Sequence, residues 1–102
     1  MVYPNLVIMG KAGLTRPMPR SLFTDAYEAF RDTLVAVRKD AGVTQVELAE
    51  RLGKPQQFIS KIENGDRRLD LVEFVAICRA LRVDPKEAFT AVLRRMPKAF
   101  DI

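Results

Sequence analysis

The chain has 102 residues, room for a single domain, and 48% of them are apolar, enough for a packed core. Seventeen Lys and Arg against thirteen Asp and Glu leave a net charge of +4, a mild excess that suits a polyanionic partner without establishing one. Histidine is absent and Cys78 is the single cysteine, so a zinc site, a Ser-His-Asp triad and an intrachain disulfide are excluded by inventory, and no enzyme activity, metal or cofactor is expected.

Residues 1–20 carry Pro4, Gly10, Gly13, Pro17 and Pro19, three basic residues and no acidic one, which predicts an extended N-terminal arm. Leu6, Val7 and Ile8 favour a single strand within it, against the plainer reading of a flexible arm. The apolar stretch 2–10 lacks the basic start and cleavage pattern of a signal peptide, and no apolar run approaches the roughly 20 residues of a membrane span, so a cytoplasmic protein is expected.

From Ser21 the period becomes helical. Phe23, Tyr27, Phe30, Leu34, Val37 and Ala41 recur at alternating steps of four and three, the face of a long first helix. Thr24 and Asp25 are its predicted caps, with Glu28 completing a box, and Gly42 ends it. Thr44 with Glu47 then caps a second helix whose inner face is Leu48, Ala49 and Leu52, stopped by Gly53. Pro55 begins a third, anchored by Ile59 and Ile62 with help from Phe58 and closed by Asn64-Gly65. Asp70 and Glu73 open a fourth with Leu71, Phe74, Val75, Cys78 and Leu81 inside. Asp84-Pro85 with Glu87 opens a fifth with Phe89, Val92, Leu93 and Met96 inside, limited by Pro97. The expected organisation is an arm (1–20), an all-α five-helix domain (21–97) and a short tail (98–102).

The informative stretch is 45–64. Two short helices crossing at about 90–120° approach closely near their turn, where a small residue must sit, and Ala49 supplies it. The turn needs a residue tolerant of positive φ, and Gly53 supplies that. Ile59 and Ile62 anchor the second helix by one edge only. Its other edge then presents Gln56, Gln57, Ser60 and Lys61, of which glutamine pairs with adenine N6 and N7 and lysine donates to guanine O6 and N7. A polar outer edge is ordinarily just solvated; within this Ala-Gly-Ile-Ile frame the base-reading alternative prevails. Lys54, Lys61, Arg67 and Arg68 cluster around the same helix, and free N–H groups near Gln45 form an anion site at the start of the second.

The segment VRKDAGVTQVELAERLGKPQQFISKIENG resembles the Cro/C1-type, or XRE, helix-turn-helix domain of phage repressors and bacterial regulators, with the likeness running from about Phe30 to Phe89. It implies a lambda-repressor-like fold that binds double-stranded operator DNA as a transcriptional regulator, expected to be a repressor and a homodimer. By that likeness Gln56, Gln57 and Lys61 read base edges, Gln45 touches a phosphate, and Asn64 donates to the DNA backbone. Thr44, Lys54, Arg67 and Arg68 join the backbone set, and Ser60 the base-reading one. Arg38 is expected to pair with Glu63 and fix the angle of the recognition helix. Two departures stand out: Pro55 where relatives often carry Ser or Thr, and Arg82 where a helix-ending glycine is common. Cys78 replaces a common alanine and reads as a small buried filler.

The fifth helix is a candidate dimer surface, although the same residues would serve equally to close the monomer core. The runner-up function is an antitoxin that binds a partner protein and represses its own operon, with 2–9 as a second surface. An interaction module without DNA binding predicts loss of the polar edge, and an RNA binder predicts exposed stacking aromatics; neither matches this pattern.

Overall fold

The computed structural model describes residues 20–100 and builds from them five helices and no strand: α1 (Arg20–Asp40), α2 (Gln45–Leu52), α3 (Gln56–Asn64), α4 (Leu71–Ala80) and α5 (Pro85–Arg95). The predicted arm, and with it the proposed strand, lies outside the described residues except for Arg20, which opens α1. Thr24 and Asp25 therefore do not cap α1 but lie within it, since nothing between Arg20 and Thr24 breaks a helix. The other boundaries follow local chemistry. Thr44–Glu47 and Asp70–Glu73 both form complete capping boxes, and Asp84 accepts from the Lys86 N–H while Pro85 takes the first helical position.

The long α1 packs along α5 and α3, α2 crosses α3 and leans on α4, and α4 meets α5. Two buried clusters result. Val43, Leu48, Ala49, Ile59, Ile62, Ile77 and Leu81 form one, which ties α2 and α3 to α4. Leu34, Phe74, Cys78 and Ala88 form the other, between α1, α4 and α5. An aromatic series reinforces the second: Tyr27 meets Phe30 edge-on at 5.7 Å, and Phe30 meets Phe74 at 5.9 Å. Thr33 is buried among these groups, its hydroxyl donating to the Ala29 carbonyl at 2.6 Å.

Four expectations about the inner faces need correction, the first being Ala41, which lies past the end of α1 and is exposed. Leu71 is exposed, because it sits at the first position of α4, a turn before Phe74 starts the buried face. Phe89 and Leu93 are 51% and 54% exposed, because the buried edge of α5 is carried by Ala88 and Val92 instead. Cys78 is fully buried, as its reading as a filler expects. Arg82 adopts φ 60 in the turn between α4 and α5, the only non-glycine in the left-handed region among the described residues. Among the described residues no helix is long and apolar enough to cross a membrane, and no cluster of His, Cys, Asp or Glu could hold a metal ion.

Candidate nucleic-acid interface

The α2–turn–α3 unit is built by caps and one glycine. The Thr44 hydroxyl accepts from the Glu47 N–H at 3.1 Å, and the Glu47 carboxylate accepts from the Thr44 N–H at 3.0 Å. These bonds to Thr44, backbone first, hold the Glu47 carboxyl below its usual range. At the other end Gly53 takes φ 66, and the N–H groups of Gly53 and Lys54 return to the carbonyls of Glu50 and Ala49. A side chain at Gly53 would meet nothing within 4 Å, so glycine is required there by conformation and not by space. Ala49 and Leu48 lie buried at the crossing, and Ile59, 1% exposed, and Ile62 fasten α3 to them by one edge. Gln56, Gln57, Lys61 and Asn64 are exposed as a result, and Ser60 is half-buried. Pro55 occupies the N-cap of α3 and leaves it without a side-chain cap.

A chain of polar side chains sets the orientation of α3. Arg38 donates from Nε to Glu63 Oε2 at 2.7 Å and from Nη2 to Glu63 Oε1 at 3.0 Å, with Nη1 on the Val43 carbonyl at 2.9 Å. Both partners are about 10% exposed. A planar two-point bond of this kind fixes relative geometry more than it adds stability. Gln45 Nε2 donates to Glu63 Oε1 at 2.8 Å, and its Oε1 accepts from Gln56 Nε2 at 3.3 Å. The first residues of α2 and α3 are thus linked directly side chain to side chain, and Gln45 joins both to the Glu63 anchor near the α3 C-terminus.

A helix-turn-helix family model matches residues 34–87, more than half of the chain. The chain belongs to the Cro/C1-type helix-turn-helix family. It is a DNA-binding transcriptional regulator of XRE type. Among solved structures it is similar to an XRE-family like protein from Pseudomonas syringae pv. tomato, with 42% identity and a TM-score of 0.69 over 76% of this chain and 95% of that one. It is also similar to the clp gene regulator ClgR from C. glutamicum, with 26% identity and a TM-score of 0.64 over 72% of this chain and 96% of that one. No curated protein matches it.

Three cations around the recognition helix of this XRE-type domain, Lys54, Arg67 and Arg68, are already engaged within the protein. Arg67 donates to both carboxylate oxygens of Glu73, at 3.0 and 2.7 Å, and lies over the Phe58 ring at 4.7 Å. The hydrogen bonds from Arg67, followed by that from the Asp70 backbone, bring the Glu73 carboxyl down to about 2. Lys54 approaches the same Phe58 ring at 5.4 Å, and Arg68 covers Tyr27 at 4.4 Å, whose hydroxyl accepts from the Leu69 N–H. Lys61 and Lys54 stand exposed on the surface flanking α3. Sequence reasoning placed Arg67 and Arg68 near the helix but missed their partners. Glu73 was legible as a cap residue, and the signal for its second role is an arginine six residues before it, at the other end of the same short loop.

Proposed function

We propose that the chain represses transcription by binding a specific duplex as a homodimer, with α3 in the major groove. The observation that carries this reading is the division of α3: Ile59 and Ile62 are buried, while Gln56, Gln57 and Lys61 on the other edge face outward. In this reading Gln56, Gln57, Ser60 and Lys61 contact base edges. Gln56 does so from a side chain already held by Gln45. Thr44, Gln45, Lys54, Asn64, Arg67 and Arg68 face the phosphates. The Thr44 hydroxyl retains its proton to donate, since its oxygen is the acceptor in the cap. Arg67 keeps donor capacity beyond the two bonds to Glu73, so it acts as an oriented cation and not a free one.

A dimer doubles the site read and sets half-sites about 34 Å apart. The exposed Phe89 and Leu93, one turn apart on α5, support an apolar dimer face there. An antitoxin is the second reading, favoured by the further exposed pair Leu71 and Val72, where a protein partner would find apolar surface separate from α5.

Selection of bound sequences from a random duplex pool at about 150 mM salt tests the main reading. Enrichment of a roughly palindromic site supports it. A folded protein that enriches no sequence would refute it and leave an interaction module. An enriched single half-site bound by a monomer would remove the dimer.

A further inference from the structure

Two arginines of α1, Arg31 and Arg38, stand two turns apart on one face, and both meet the C-terminal end of α3. Arg38 holds Glu63 in the two-point bond described above. Arg31 lies against Gly65, the left-handed residue that caps α3 at φ 85. A Cβ at Gly65 would overlap Arg31 Nη1, so the left-handed backbone calls for glycine there and any side chain would have to push the guanidinium aside. The Arg31 Nε is buried without a hydrogen-bond partner, and its ion pair with Glu28 is long, at 3.8 Å. Neither arrangement is what stability alone selects, because a buried donor without an acceptor is unfavourable. The cation does sit at the carbonyl end of α3, where the helix dipole welcomes it, and the last turn of that helix supplies only Lys61 itself.

We infer that Arg31 is a positioning residue for the recognition helix, a second support beneath Gly65 that stops α3 from pivoting on the Arg38–Glu63 pair. Seven residues of α1 separate the supports, about 10 Å along its axis. From Gly65 back to Gln56 is a lever of roughly 14 Å, so a tilt of about 5° moves the base-reading end by about 1 Å. A displacement of that size is enough to weaken a two-point bond to a base edge.

The inference rests on the proposed reading of DNA by α3, and two measurements keep their failures apart. The first needs no DNA. Thermal unfolding of Arg31→Ala, Gly65→Ala and the double variant tests the wedge. Gly65→Ala should lower Tm by less in the Arg31→Ala background than in the native chain, and strictly additive losses would overturn the contact. The second compares binding of native protein and Arg31→Ala to the selected duplex and to a scrambled one across a salt series. Arg31→Ala should lose about five- to tenfold in discrimination, keep its affinity for the scrambled duplex and keep its salt slope. Unchanged discrimination would overturn the inference. An equal loss on both duplexes with a slope smaller by about one would also overturn it, making Arg31 a phosphate contact. If the native protein selects no duplex at all, the reading of α3 fails instead, and the unfolding cycle still decides whether Arg31 supports Gly65.

Discussion

The pairs α2–α3 and α4–α5 follow one plan. Each begins with a complete capping box, turns through a left-handed residue and enters its second helix at a proline: Thr44–Glu47, Gly53 and Pro55 in one, Asp70–Glu73, Arg82 and Pro85 in the other. They differ in what the second helix shows to solvent. The edge of α3 turned outward is Gln56, Gln57 and Lys61, whereas that of α5 carries Phe89 and Leu93. In the reading proposed above, the same backbone device serves two kinds of recognition surface, polar for base edges and apolar for a protein. The helical hairpin sets the frame, and the exposed edge sets the partner.

Side-chain truncation separates the two edges most sharply. Ile59→Ala removes a buried anchor and should destabilise by about 2–5 kcal/mol in urea unfolding. Phe89→Ala in a monomer should change stability by no more than about 0.5 kcal/mol. A comparable loss for Phe89 at low protein concentration would mean that this edge of α5, and not only Ala88 and Val92, closes the core. Next in size, Gln57→Ala should cost on the order of 1–3 kcal/mol of binding to the selected duplex and relax preference at one base position. An unchanged preference would remove Gln57 from the reading edge.

The turns give a smaller effect of opposite sign in the two hairpins. Gly53→Ala should destabilise by about 1–2 kcal/mol, and Arg82→Gly should stabilise by about 1 kcal/mol, because both sites hold positive φ and only one holds glycine. Thermal unfolding of the two variants checks both signs, and a loss at Arg82→Gly would show that its side chain makes up for the strain. Smallest is the acid response of the two caps. Glu47 and Glu73 both titrate below their unfolded values, Glu73 at about 2, so the stability they lend is present above about pH 4.5 and fades as pH falls towards 2. Glu73→Gln should flatten that limb more than Glu47→Gln, the order of their shifts, as read from unfolding midpoints between pH 2 and 5.

Much of this was legible in the chain because local signals agreed. Thr44, Glu47, Gly53, Asp70 and Pro85 mark helix ends by rules that involve only near neighbours, and each functions as that rule predicts. The pairing of Arg38 with Glu63 crosses 25 residues and was available only through the family likeness. What stayed hidden depends on which edge of a helix meets another. Periodicity marks Phe89, Val92 and Leu93 alike as apolar, but the crossing of α5 with α1 and α4 buries Val92 and leaves the flanking two outside. Arg31 was invisible for the same reason: on paper it is one more charge on α1, and only the approach of Gly65 gives it a task. Arg82 was read correctly as a strained substitute for glycine, since a missing glycine after a helix is itself a local signal.

The lone sulfhydryl offers a use of its own. Cys78 is sealed between α1, α4 and α5, and burial, with Asp84 nearby, raises its pKa, so little thiolate exists to react while the fold is closed. Alkylation of this chain is therefore a clock for opening of the second cluster. If operator binding quiets that opening, the labelling rate will slow in step with occupancy, giving a readout that requires no engineered probe.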